Sequence, residues 1–412
     1  MAYLHRPELY IGPDPERGET EGLNVDVFDA YDFTSDCLRP GNGFTFTLWR
    51  SADRRAQWPI LQRRVRLGAP VSFRMDDALQ LNGTIEEFQE ISDRQGGTRI
   101  VISGRDIGAR VMEWDANPIV SFQNLSLFDA LTELYSDMGV AVVLGVRAED
   151  ARDIQTGALR GTAAVSGRRH RRNAAVVTRG HPRVGEKSWA VAEAFLRKAG
   201  LFQWVAPIDD LGEMGIVIGR YDYKSPPLYT FNRHINPING EVTGNAVAVT
   251  HVMQARNIPT EVKVFGHGAR GDVLSARNTA DLANHYLTNR EVNVGRVHSA
   301  FPRQPRYVKS QRARSIEESQ QEADRIIART MQSFRTYTVT VQGHAQETPE
   351  GNQLLYAANT VATVSDDVLG YNERMWIHRV QMRGRREGGC ETTLTLLPLG
   401  SVQLTVGVVE ST

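Results

Sequence analysis

Few residues of this chain are spaced for chemistry. Gly266-His-Gly-Ala-Arg-Gly271 fits GxGxxG and follows an apolar run, Val262-Lys-Val-Phe265. A dinucleotide site needs such glycines to open a helix, with a carboxylate about 20 residues on to take the ribose hydroxyls. Glu291 lies near that distance, but Gly271-Asp-Val-Leu-Ser275 is a poor helix start and no parallel βαβ pattern surrounds it. The expectation is a glycine-rich β-turn, with a nucleotide-binding enzyme working through residues 266–271 as the alternative. Asp76-Asp77, Asp209-Asp210 and Asp366-Asp367 are carboxylate pairs of the kind that do acid/base work. All three fall where turns are expected, and Asp favours turns because its side chain bonds nearby backbone. The 10 histidines show no two-ligand spacing on a helix, and the 2 cysteines, Cys37 and Cys390, exclude a four-thiolate zinc site or a disulfide framework. No Walker loop, HExxH, GxSxG or EF-hand loop is present. No catalytic set, cofactor or metal is expected.

One stretch is chemically distinctive. Between Ile154 and Gly185 there is no acidic residue, while Arg160, Arg168, Arg169, Arg171, Arg172, Arg179 and Arg183 all fall there. Without hydrophobic periodicity, residues 147–185 read as an extended basic arm. It could be a solvated loop, a clasp on a neighbouring subunit or partner, or a nucleic-acid contact. The last is weakened by the lack of interleaved aromatics and by the neutrality of the whole chain.

The elements around these residues are mostly strands. The chain has 412 residues, with Lys+Arg and Asp+Glu both at 48, so its net charge is zero. That balance argues against a dedicated nucleic-acid or membrane-surface binder. No signal peptide or membrane span is evident, and low cysteine use fits a reducing compartment. Residues 1–115 look all-β: Leu23–Phe28 and Phe44–Trp49 alternate, and strands are expected at Pro70–Met75, Gly83–Phe88 and Thr98–Ser103. Residues 116–230 form an α+β module of two helix–Gly–strand units. Ser126-Leu-Phe-Asp129 caps the first helix, with Leu127, Leu131, Leu134 and Met138 on one stripe. Trp189, Ala192, Leu196 and Ala199 mark the second. Residues 231–412 return to β, with helices expected over 278–288 and from Ser315 to about Phe334, and strands at Tyr337–Val341, Asn359–Val364, Met375–Val380 and Thr392–Leu396.

An internal repeat joins the two β regions. Val71–Met75, Asp76-Asp77, Ile85–Phe88, Gly96-Gly97 and Ile100–Ser103 recur in order as Val361–Ser365, Asp366-Asp367, Ile377–Val380, Gly388-Gly389 and Leu394–Leu397.

The order of elements resembles the baseplate hub proteins of contractile-tailed bacteriophages, the late-control-D or Mu-like hub family. Three stretches carry the likeness: Ile100-Val-Ile-Ser-Gly-Arg-Asp106; Gly185-Glu-Lys-Ser-Trp189 with Ala199-Gly200 and the following strand pair; and Arg314–Arg335 followed by Thr338–Gly343 and Asn359-Thr-Val361. The resemblance implies two tube-like β-barrel domains joined by a smaller α+β module. It also implies a homotrimeric hub in the virion tail, assembled in the bacterial host cytoplasm, that adapts a sixfold tail tube to a threefold spike. Its partners would be the tail spike protein, a tail tube or tube-initiator protein and baseplate wedge proteins, with DNA passing only transiently through the lumen and no membrane insertion. The hub of a phage-derived contractile injection system or tailocin is a second implication. The arm looks long for the family and is expected to order on assembly.

Overall fold

The computed structural model describes residues 5–13, 20–25, 28–50, 58–94, 97–123, 125–145, 176–177, 181–199, 201–208, 213–221, 225–254, 261–267, 273–278, 305–309, 323, 326, 332, 335–348, 350–386 and 388–399. The first β region contains β1 (Pro7–Ile11), β2 (Leu23–Val25), β3 (Ala30–Asp36), β4 (Gly43–Trp49), α1 (Trp58–Arg64), β5 (Pro70–Met75), β6 (Ala78–Asp93), β7 (Gly97–Asp106) and then α2 (Ile107–Glu113). The middle module contains β8 (Leu125–Ser126), α3 (Leu127–Ser136), β9 (Val142–Leu144), β10 (Val176–Val177), α4 (Ser188–Ala199), β11 (Phe202–Pro207) and β12 (Met214–Gly219). The last region contains β13 (Tyr229–Ile235), β14 (Val242–Thr243), β15 (Ala246–Met253), β16 (Glu261–His267), β17 (Val273–Asn278), β18 (Pro305–Lys309), β19 (Arg335–Gln342), β20 (Ala345–Glu347), β21 (Gln353–Leu355), β22 (Thr360–Asp366), β23 (Tyr371–Arg385) and β24 (Gly389–Pro398).

The chain is mainly β with a small α+β module, as its sequence predicts. Among the described residues the strands of the two β regions run on into one 14-stranded sheet. The reason lies in β23, whose length lets one edge serve two partners. Tyr371–Ile377 pairs with β22, and Arg379–Arg385 pairs with β3 of the first region, while β24 covers the opposite edge. The shared core follows from period-two alternation. Phe44, Phe46 and Leu48 point inward from β4, as Tyr337, Val339 and Val341 do from β19, with Thr45, Thr47, Thr338 and Thr340 on the other face. Each fully buried side chain of this size contributes about 1.5–3 kcal/mol.

The repeat is structural. The β6–β7 ladder shifts register between Ile85 and Glu87, and the β23–β24 ladder between Ile377 and Arg379, so the skipped residues are Glu86 and His378. These lie 292 positions apart, the same offset as the two Gly-Gly turns. Bulges re-aim a strand at a fixed point, and two at matching points argue for one ancestral unit used twice. In both halves the strand before the hairpin joins the same antiparallel order: β3–β4–β7–β6 and β15–β19–β24–β23.

The middle module packs Leu127, Leu131, Leu134 and Met138 of the α3 segment against Ala192 and Leu196 of α4 and Ile216 and Ile218 of β12. Ser126 caps α3 by accepting the Asp129 amide at 3.1 Å. Gly139, at φ +64°, ends the turn in a left-handed conformation that costs glycine least. β9 then pairs parallel with β12, which pairs antiparallel with β11.

Several expectations need correction. The strand after Gly139 is described over Val142–Leu144, and of the one expected over 23–28 Leu23–Val25 is described, residues 26–27 lying outside the described residues. Gly83–Phe88 belongs to the much longer β6. Asn278 is the last residue of strand β17, and the helix expected after it, residues 279–288, lies outside the described residues. Of the helix expected from Ser315, the residues described as helical are Ala323, Ile326 and Gln332; Ala323 and Ile326 pack on Val262 and Val264 of β16.

Candidate functional site

Each predicted site has an observed fate. The glycine-rich motif joins β16 to β17, two strands that pair antiparallel from Val262↔Asn278 to His267↔Val273. Strand is followed by strand, not by the helix a pyrophosphate site requires. Residues 268–271 themselves lie outside the described residues.

The two described Asp pairs are anchors of hairpin turns. Asp76 and Asp77 connect β5 to β6 at φ +50° and +69°. Asp76 accepts the Arg6 amide at 2.7 Å and His5 Nδ1–H at 2.6 Å. Asp366 and Asp367 open the turn between β22 and β23, and they hold a second basic pair. Arg233 bonds Asp366 through two nitrogens, the shortest contact being 2.8 Å, and His234 Nδ1 meets Asp367 at 2.9 Å. Burial works against ionisation of Asp366, but Arg233, the Tyr337 hydroxyl and the Leu369 amide outweigh it and hold its carboxyl below the ordinary range. In both repeats a carboxylate turn therefore locks onto an arginine–histidine dipeptide. Asp209-Asp210 lies outside the described residues.

The first lock continues into a buried polar chain that ties the two repeats together. The His344 amide donates to His5 Nε2 at 3.0 Å, so the His5 proton sits on Nδ1, toward Asp76. Thr392 donates its hydroxyl to Gly343 O at 2.6 Å and so accepts from His344 Nδ1–H at 2.8 Å. That leaves His344 Nε2 to accept the Tyr31 hydroxyl at 2.7 Å. Every polar atom of this chain is satisfied only while His344 is neutral. Burial, then the nearby His5, push its pKa down to about 3. Nothing in the sequence signalled this site, because its bonded partners lie up to 339 positions apart.

The exposed face of the sheet across β23, β3, β4, β7 and β6 carries open troughs. They are lined by Asp32, Thr45, Thr47, Arg383, Ser103 and Arg105, among others. Their charges are matched: Arg383 meets Asp32 at 2.8 Å, and Arg105 meets Glu86 and Glu113, both at 2.6 Å. Enclosed apolar pockets with converging polar groups mark small-molecule sites; these troughs are open and polar. Among the described residues no cluster of three or more His, Cys, Asp or Glu could hold a metal ion. No helix among them is long and apolar enough to cross a membrane.

Of the arm arginines, Arg183 is described. It is exposed, and its amide donates to Glu186 Oε2 at 3.0 Å in the turn before α4. Arg160, Arg168, Arg169, Arg171, Arg172 and Arg179 lie outside the described residues. One part of the expected arm is built into the module: Val176–Val177 pairs with Leu125–Ser126. Lys187, just past the arm, bonds Asp115 at 2.6 Å.

No protein-family model matches the chain, and no curated protein matches its sequence. Solved structures do. A tail protein from Neisseria meningitidis superposes with TM-score 0.70 at 18% identity, over 97% of this chain and 98% of the other. The 43 kDa tail protein of prophage MuSo2 from Shewanella oneidensis gives TM-score 0.68 at 13% identity, over 97% and 100%. A chain of the Francisella PdpA–VgrG complex gives 0.52 at 7% identity, over 97% of this chain and 59% of that one. From end to end, the chain has the fold of phage tail proteins.

Proposed function

We propose that this chain is a structural tail protein: the central hub of a contractile-tail baseplate, working as a homotrimer. The observation that carries this is the duplicated β unit, with its matched bulges 292 residues apart, in a fold shared with phage tail proteins along nearly its whole length. Three chains with two units each would offer six near-equivalent units to a sixfold tail tube and three identical surfaces to a threefold spike. Heterologous contacts close into such a ring when the rotation allows. The central opening would pass DNA transiently, and the matched charges of the polar sheet face suit a lining that does not hold a polyanion. The role is geometric and needs no catalytic residue. On this reading the protein resides in the virion tail, and residues 1–115, 116–230 and 231–412 act as tube-like, connecting and tube-like units. The arm arginines, Arg160 to Arg183, clasp a neighbouring subunit, the spike or a wedge protein.

The hub of a phage-derived injection machine is a second reading, favoured by the likeness to the PdpA–VgrG chain. Solution mass with negative-stain imaging tests both readings. A threefold ring at three times 46.0 kDa is expected, and a compact monomer at all concentrations overturns the hub.

A further inference from the structure

The duplication makes one contact inside the chain that has an unused counterpart outside it. The two repeats form an eight-strand antiparallel run, β15–β19–β24–β23–β3–β4–β7–β6. At its middle, β23 of the second repeat meets β3 of the first. At its ends lie the equivalents of those two strands. β15 occupies the place of β3 and, among the described residues, pairs only with β19, while β6 occupies the place of β23. Beyond Ile85, the edge of β6 opposite β7 has no strand partner among the described residues.

Both ends are open among the described residues. Every residue of β15 after Ala246 is at least partly exposed, including Val247, Val252 and Met253. Glu86 to Glu90 of β6 are all exposed, Phe88 among them. Phe88 lies opposite the buried Ile102 across the β6–β7 ladder, so it is on the core side of the sheet with nothing to cover it fully. Its equivalent in the second repeat, Val380, is only 1% exposed, in the half of β23 that β3 covers.

Resting on the hub reading, we infer that β15 of one copy of this chain pairs antiparallel with residues 87–93 of β6 in the next copy, in the register that the internal β3–β23 contact dictates. Transposing Arg379↔Asp36 through Gly384↔Tyr31 sets Met253 opposite Phe88, His251 opposite Glu90 and Val249 opposite Ser92. An apolar pair and a polar pair thus meet on the core face, with the His251 ring held in its own chain by Arg335 and Tyr371, and Thr250 meets Ile91 on the other. The occupant is a second copy because both complementary edges belong to this chain, at opposite ends of one run. That contact is head-to-tail, so it propagates and a ring is its closed form.

The test is cysteine cross-linking of the full chain under mild oxidation, alongside its solution mass. Directly opposed residues place their Cα atoms about 4.5–5.5 Å apart, inside the roughly 4.4–6.8 Å that a disulfide spans. Met253→Cys with Phe88→Cys should give covalent dimers and trimers on a non-reducing gel, and Thr250→Cys with Ile91→Cys should do the same from the opposite face. The pair slipped by one residue, Val252→Cys with Phe88→Cys, should link at least about tenfold more slowly, because a one-residue slip moves a side chain to the other face. Mixing chains that carry only Met253→Cys with chains that carry only Phe88→Cys should yield a linked species that neither gives alone. A trimer by mass in which neither opposed pair links would overturn the seam and leave the hub standing. A monomer by mass with no link would overturn both.

Discussion

His344 offers a quantitative check on the polar chain that joins the two repeats. Its ring must stay neutral, accepting at Nε2 from Tyr31 and donating at Nδ1 to Thr392. A histidine in the unfolded chain titrates near 6.5, whereas burial and His5 lower the native value to about 3. Above pH 6.5 both states are neutral and the full stability is present. As pH falls below 6.5 the unfolded state takes up a proton that the native state refuses, so stability is lost down to the native value. The linkage gives a loss of about 2 kcal/mol between pH 7 and pH 5 from this residue alone. His344→Gln cannot titrate. It should be less stable than the parent at pH 7, through loss of a bonded ring, and that deficit should shrink by about 2 kcal/mol at pH 5. Urea unfolding midpoints of the two proteins at pH 7, 6 and 5 measure it, with other titrating groups cancelling in the difference. A deficit that stays constant across the three pH values refutes the assignment of a neutral, proton-refusing His344.

Other outcomes follow from particular contacts. Asp106 caps α2 through the Gly108 amide at 2.8 Å, and burial raises its pKa to about 7. The native state therefore keeps a proton that the unfolded state loses above about pH 4, and stability falls as pH rises from there to 7. Asp106→Asn should compare with the parent more favourably at pH 8 than at pH 5, by a few kcal/mol at most, on the order of the shift itself, read from thermal melts. Gly384 faces Tyr31 so closely that a Cβ would sit 2.3 Å from its ring; Gly384→Ala should cost about 1–3 kcal/mol through overpacking, seen as a lower denaturant midpoint. Arg233→Met strands the buried Asp366 carboxylate and should cost about 3–5 kcal/mol. Asp366→Asn should cost less than Arg233→Met in the same unfolding assay, because its amide oxygen can still accept from the Leu369 amide while its NH2 donates to the Tyr337 hydroxyl oxygen, which turns to accept.

What the sequence discloses depends on how local the cause is. Strands with clean alternation, such as Phe44–Leu48 and Tyr337–Val341, are legible because one face is core and the other threonine. The helix cap at Ser126 is equally local. β3 is not legible. Tyr31 and Phe33 point inward as expected, but Asp32, Ser35 and Asp36 interrupt the signal, and aspartate is depleted in strands. β1 begins with Pro7-Glu8 and shows only a partial pattern. β6 looks short because its far half is acidic on an exposed face, which only the sheet pairing identifies as strand. The Asp turns read correctly as turns, yet their basic partners, 70 and 133 positions away, come only from the fold. The glycine motif at 266–271 reads as a β-turn because a poor helix start follows it, and the strands on either side of it pair antiparallel.

The two copies of the repeat have also diverged in a way that the inferred seam explains. Where they meet inside the chain, the pairs are buried: Phe33 faces Met382 and Tyr31 faces Gly384. At the transposed contact the same positions hold His251 with Glu90 and Val249 with Ser92. The internal joint forms with the chain itself and can be fully apolar. An external joint is exposed from the moment of folding until another copy arrives, and a long apolar edge pairs with any strand it meets. The carboxylates of Glu87 and Glu90, which accept from the neutral amides of Gln89 and Gln62 and so keep their charge uncompensated by them, make the β6 edge a poor template for random partners, while Glu86 is paired with Arg105. Apolar contact is confined to Phe88 and Met253, where correct register brings the two together and a one-residue slip does not. Selection for a covalent neighbour on one side and a delayed neighbour on the other would erase identity between the copies while leaving turns and bulges in place. Those are the features at which the repeat is still visible.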